Sequence, residues 1–140
     1  MNRFPILVLS LGSFIGCSRP SLTQPPSPSP GMPTYTDFMA ANPGPAYSAL
    51  EARRSTLIRE VDRIQVGMTM KEVSTILGTP DYSRSNFGPK GPGEHFLGWS
   101  WMYYITKPDM RLVNEIKDKC VHVFFNEYGY VSSIYKRLPE

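Results

Sequence analysis

Val66-Gly67-Met68-Thr69-Met70-Lys71-Glu72-Val73-Ser74-Thr75-Ile76-Leu77-Gly78-Thr79-Pro80-Asp81 reads as one short helix with its start and stop signals included. Thr69 and Glu72 have the spacing of a capping box, in which the hydroxyl accepts from the Glu72 N–H and the carboxylate from the Thr69 N–H. Met68 precedes the cap where it can pack on Val73 as a hydrophobic staple. Val73, Ile76 and Leu77 share one face. Gly78 can adopt the positive φ that ends a helix, and Pro80 keeps the helix from resuming. The stretch carries scaffold signals and no chemistry.

Upstream, the Leu50, Leu57, Val61 and Ile64 spacing predicts a first helix over 46–64, with Tyr47 and Ile58 at the edges of its apolar face. Arg53, Arg54, Arg59 and Arg63 lie elsewhere around it, largely balanced by Glu51, Glu60 and Asp62; an ordinary solvated helix face is expected, the alternative being a basic strip toward acidic headgroups or an acidic partner. Downstream, Asp81 to His95 is expected to be a connecting loop. It contains Gly88, Pro89, Gly91, Pro92 and Gly93 but no phosphate-loop order of glycine, lysine and hydroxyl. Phe87 is its one candidate partner contact.

Three strands are predicted next. From Leu97 to Ile105, Leu97, Trp99, Trp101, Tyr103 and Ile105 point one way, and Gly98, Ser100, Met102 and Tyr104 the other. Lys119 to Phe125 places Cys120, His122 and Phe124 opposite Val121, Val123 and Phe125. Asn126-Glu127-Tyr128-Gly129 is a turn with Gly129 available for positive φ, and Tyr130 to Arg137 closes an antiparallel hairpin. The expected architecture is α+β: two N-terminal helices packed on a three-stranded antiparallel sheet over residues 46–140. Aromatic residues left over on the sheet, Trp99, Trp101 and Tyr104, join Phe87 as candidates for a protein-binding surface.

The N-terminal part has a different character. Residues 1–16 have Arg3 followed by an apolar run from Phe4 to Phe14, too short to span a bilayer, as an export signal has. Phe14-Ile15-Gly16-Cys17 resembles the bacterial lipobox, with Phe14 where leucine is usual. The motif implies a diacylglyceryl thioether on Cys17, cleavage before it, and further acylation with chains such as palmitate. Several such chains anchor stably, at about 0.8 kcal/mol per buried CH₂. Ser18 stands where an aspartate would favour inner-membrane retention, so the implied address is the outer membrane. Residues 17–45 hold eight of the 14 prolines and read as an extended tether. Within the tether, Thr36 to Ala41 could form a short helical turn capped by Thr36 and docked on the domain or a partner, but a transient turn is expected, because flanking prolines isolate it.

The 140 residues allow one modest domain. The charge is +3, too balanced to point to nucleic acid. The two cysteines, Cys17 and Cys120, cannot form a disulfide framework if Cys17 carries lipid, and Cys120 is expected buried in its strand. His95 and His122 sit in no metal-ligand or nucleophile motif. The expectation is a non-enzyme with no cofactor, no metal site and no small-molecule substrate.

Val66-Gly67-Met68-Thr69-x-x-Glu72-Val73-x-x-Ile76-Leu77-Gly78-x-Pro80, the Trp101-Met102-Tyr103-Tyr104 strand, and Val123-Phe124-Phe125-Asn126-Glu127-Tyr128-Gly129-Tyr130-Val131 closely resemble the SmpA/OmlA lipoprotein family. That is the domain type of the BamE-type subunit of the outer-membrane β-barrel assembly machinery. The resemblance covers about Ile64 to Ile134. It implies two helices on a three-stranded antiparallel sheet, with Gly67, Thr69, Glu72, Val73, Leu77, Gly78, Pro80 and Gly129 as its structural signature. It also implies a lipid-anchored, periplasm-facing accessory that contacts other envelope proteins. A periplasmic binding module, inhibitor-like or a cell-wall adaptor, would use a similar fold. The long tether and enlarged loops depart from a minimal member, so no partner-binding residue is carried over.

Overall fold

The computed structural model describes residues 31–89, 95–112 and 116–140. The export segment, Cys17, the tether as far as Pro30, and Lys90 to Glu94 of the expected loop lie outside the described residues. In chain order the elements are α1 (Tyr35–Ala41), β1 (Tyr47–Ser48), α2 (Glu51–Glu60) continued by a 3₁₀ turn (Val61–Arg63), and α3 (Met70–Leu77). Four longer strands follow: β2 (Tyr82–Phe87), β3 (Phe96–Lys107), β4 (Lys119–Phe125) and β5 (Val131–Arg137).

The class is α+β, with helices preceding an antiparallel sheet. β3 is its centre. One edge of β3 pairs with β4, which pairs with β5. The other edge is shared by β2, on the Phe96–Met102 half, and β1, on Thr106 and Lys107. The sheet therefore has two strands beyond the three expected.

The period-2 pattern of β3 separates two cores. Trp101, Tyr103 and Ile105 join Val121, Val123, Phe125 and Val131 beneath Leu57, Val61, Ile64, Val73 and Leu77 of the helical layer. Each large apolar side chain buried there contributes about 1.5–3 kcal/mol by leaving water. Met102, Tyr104 and Cys120 face the other way, against Phe38, Tyr82 and Met110.

Three local expectations are corrected. Residues 46–64 are not one helix, since Tyr47 and Ser48 pair with β3 and Leu50 occupies the N-cap of α2. Leu50 is 82% exposed rather than on the core face. The expected loop after Pro80 contains β2, which pairs in register from Tyr82↔Met102 to Asn86↔Gly98. The tether gives way to folded chain before Ala46. α1 is capped by Thr34, not Thr36, through a reciprocal Thr34–Asp37 box. It buries Phe38 to 4% exposure against Tyr104, with ring centroids 5.3 Å apart.

Candidate functional site

The signature residues form a bracket between α3 and the β4–β5 turn. The Thr69 hydroxyl accepts from the Glu72 N–H at 3.2 Å, and the Glu72 carboxylate accepts from the Thr69 N–H at 2.7 Å. The Thr69 N–H, and next the Thr69 hydroxyl, which donates to the same carboxylate at 2.9 Å, hold the Glu72 carboxyl below its usual pKa. Just upstream, the Gly67 N–H donates to the Val131 carbonyl at 2.8 Å, and the Val131 N–H to the Met68 carbonyl at 2.7 Å. Thr69 and Tyr130 form an isolated antiparallel bridge. The turn is closed by Asn126, whose side-chain oxygen accepts from the N–H groups of Tyr128 and Tyr130, while Gly129 takes φ 85°. Two motifs about 60 residues apart in sequence are thus hydrogen-bonded to each other.

The far end of α3 is a second junction. Gly78 ends the helix at φ 79°, and its carbonyl accepts from the Tyr103 hydroxyl at 3.1 Å. Pro80 is buried and turns the chain so that Asp81 points inward. The Asp81 carboxylate accepts from the Tyr104 N–H at 2.6 Å and from Arg53 at 3.1 Å. Arg53 also donates to the Thr79 carbonyl at 3.1 Å. Burial raises the Asp81 pKa; the charge of Arg53 and the Tyr104 N–H oppose it. Sequence reasoning left Arg53 on a solvated face and Asp81 in a loop. The available signal was an aspartate directly after a helix-stopping proline.

The titratable groups among the described residues do not form a reactive set. Burial pushes the Cys120 thiol up to about 11, which keeps it protonated at neutral pH. Burial, helped by the charge of Arg84, lowers His122 to about 4, which keeps it neutral, and its ring lies 4.0 Å from that of Phe124. Lys107 is 0% exposed, paired with Asp118 at 3.1 Å, bonded to the Leu112 carbonyl, and 5.2 Å from the Tyr104 ring centroid. Among the described residues no three His, Cys, Asp or Glu side chains are grouped so as to hold a metal ion. A groove of about 520 Å³ opens between the end of α1 and the start of α2. Arg53 is its one charged lining residue, and that guanidinium is already paired with Asp81. Among the described residues the arrangement joins elements and presents surfaces without bringing an acid, a base and a nucleophile to one place.

The candidate partner surface divides. Trp101 and Tyr104 are 1% and 0% exposed, one in each core, so neither can contact a partner, a correction to the expectation drawn from their aromatic character. Phe87 is 42% exposed and Trp99 half-buried. They are joined through Phe96, whose ring centroid lies 5.7 Å from that of Phe87 and 4.6 Å from that of Trp99. Tyr128, Tyr130 and Tyr135 are exposed, although the strand pattern did not single them out.

No curated protein and no solved structure matches the chain. A family model described as the outer membrane protein assembly factor BamE domain matches residues 58–135. That span takes in the end of α2, all of α3, β2, β3 and β4, and all but the last two residues of β5; α1 and β1 precede it. It contains the bracket at Thr69 and, apart from Arg53, the Asp81 junction, and it covers more than half of the sequence. The chain belongs to the BamE-domain family of outer membrane protein assembly factors.

Proposed function

We propose that this chain is a lipid-anchored, non-catalytic accessory of outer-membrane protein assembly, held by an acylated Cys17 with its domain facing the periplasm. The observation that carries this reading is the family match across residues 58–135. The site chemistry agrees with it. Gly67, Thr69, Glu72 and Asp81 are engaged in joining elements, and the Cys120 thiol is buried. Among the described residues no helix is long and apolar enough to cross a membrane. In this reading residues 1–16 are removed on export, residues from Cys17 onward tether the domain, and the partners are other envelope proteins.

Affinity capture of the full acylated chain from solubilised membranes tests the role. Recovery of a subunit of the β-barrel assembly machinery is expected. Reproducible recovery of other envelope proteins without any such subunit would replace this reading with that of an inhibitor-like or cell-wall-associated binding module. A labelled fatty acid should enter the wild-type chain and not the Cys17→Ala variant. Absence of label from the wild type would refute the anchor.

A further inference from the structure

Among the described residues, the sheet face opposite α2 and α3 is only half covered. α1 packs over Tyr82, Met102, Tyr104 and Cys120. The strand registers carry the same face past α1 in two cross-strand rows, Tyr82–Met102–His122–Tyr135 and Arg84–Ser100–Phe124–Ser133. Arg84, Ser133 and Tyr135 are exposed there, and His122 and Phe124 are half-buried. The Arg84 guanidinium is held from below: its Nε donates to the Ser100 hydroxyl at 3.3 Å, and that hydroxyl donates to Asn86 Oδ1 at 3.4 Å. Ser100 itself is 1% exposed. Arg84 forms no ion pair with a carboxylate among the described residues, and neither row contains an aspartate or glutamate.

We propose that this open half-face binds an acidic segment of a partner protein, a carboxylate seated on Arg84 and a neighbouring apolar side chain on the His122 and Phe124 rings, beside Tyr135, whose ring already carries the Arg137 guanidinium 5.4 Å from its centroid. The inference rests on the reading of the chain as a protein-binding accessory. A guanidinium fixed through Nε presents its terminal nitrogens as a planar fork, which matches a carboxylate in bidentate geometry. Rings already packed on a sheet offer contact area with little side-chain entropy left to lose. The charge also selects the occupant. The chain's own N-terminal stretch has no aspartate or glutamate before Asp37, so it brings no counter-charge. A second copy meeting this face through a two-fold axis would oppose like surfaces, guanidinium included.

The direct probe is a fluorescent peptide of alternating glutamate and phenylalanine, titrated onto the detergent-solubilised full chain beside a counterpart with lysine in place of glutamate. The acidic peptide should bind and the lysine peptide should not. Arg84→Glu should weaken binding about tenfold or more, the scale of a lost charge-assisted hydrogen bond. Arg59→Glu, on α2, should leave it unchanged. Equal binding of the two peptides, or equal loss in the two variants, overturns the proposal. In cells, a photoreactive residue at position 133 should crosslink to an envelope protein, and Arg84→Glu should abolish the adduct. If the wild-type chain still captures an assembly subunit but position 133 gives no adduct, or crosslinks only to a second copy, this surface is refuted and the accessory role stands. If the wild-type chain captures no envelope protein, the accessory role itself fails.

Discussion

Lys107 and Asp118 form an ion pair at 3.1 Å with both side chains out of water, 0% and 1% exposed. The pair joins the last residue of β3 to the residue before β4, so it closes the connection between the two central strands. The Leu112 carbonyl in that connection also accepts from the ammonium. A buried charge that loses its partner keeps its desolvation penalty. Lys107→Met should therefore cost about 3–5 kcal/mol by leaving the Asp118 carboxylate without its cation. The double variant Lys107→Met/Asp118→Leu should recover most of that loss, because it removes both charges. Urea unfolding of the two variants beside wild type measures the difference. Equal destabilisation of single and double variants would show that the pair is not the source.

Among the described glycines, Gly98 is the one where an added Cβ meets backbone at under 3 Å. A Cβ there would stand 1.9 Å from the Phe125 carbonyl oxygen and 2.6 Å from the Asn126 carbonyl carbon, at φ 125°. Backbone cannot move aside as a side-chain tip does. Gly98→Ala should cost about 3 kcal/mol or more, strain and overpacking together. Gly78 sits at φ 79° and ψ −164° with nothing within 4 Å of an added Cβ, so Gly78→Ala should cost backbone strain alone, about 1–3 kcal/mol. Thermal or urea unfolding ranks the two, and the reverse order would refute the clash.

Stability should fall on mild acidification because of His122. Burial lowers its pKa from 6.5 to about 4, so between those values the unfolded chain binds a proton that the folded chain refuses. The native contribution is present above about pH 6.5 and is lost as the pH falls toward 4, up to about 3 kcal/mol. Asp81 acts oppositely. Its raised pKa means that the folded chain gains its proton first on acidification, which adds stability as the pH falls through that value. The two slopes partly cancel in wild type. His122→Gln removes the first and should leave the domain less acid-sensitive between pH 6.5 and 4 in urea melts. An unchanged slope would show that His122 is not the titrating group.

How far the fold was legible follows from which forces act locally. The Thr69–Glu72 box, the Gly78 stop and the β4–β5 hairpin depend on residues a few positions apart, so their spacing announces them. The alternation in β3 placed Trp101, Tyr103 and Ile105 on one face and Met102 and Tyr104 on the other, as observed. The same alternation leaves Trp101 and Tyr104 as apparent surface candidates, because period 2 separates two faces without saying that helices cover the first and α1 the second. β2 escaped notice because Tyr82-Ser83-Arg84-Ser85-Asn86-Phe87 has no β-branched residue, and its pairing is supplied by β3. Leu50 fits the helical spacing of Leu57 and Val61, yet Tyr47 and Ser48 are claimed by the end of β3, and the helix starts only after it. Arg84 and Tyr135 gave no signal in sequence, since a charge and a ring on separate strands share a face only once the register is set.

α1 lies outside the matched family span, and its docking can be read out through Cys120. The thiol is 5% exposed, its pKa is pushed up to about 11, and it shares a core with Phe38. Two barriers thus protect it: few thiolates form at pH 8, and the reagent cannot reach the sulfur. In the Cys17→Ala chain, iodoacetamide should therefore label Cys120 far more slowly in the folded than in the urea-unfolded state. Phe38→Ala removes the ring stacked on Tyr104 and should cost about 3–5 kcal/mol of α1 docking. Because the core beneath α2 and α3 contains no α1 residue, the domain should stay folded by circular dichroism while labelling of Cys120 accelerates. Met110 and Tyr82 still flank the thiol, so the rate should remain below the unfolded value. Unchanged protection in Phe38→Ala would mean that α1 is not the cover over this half of the sheet.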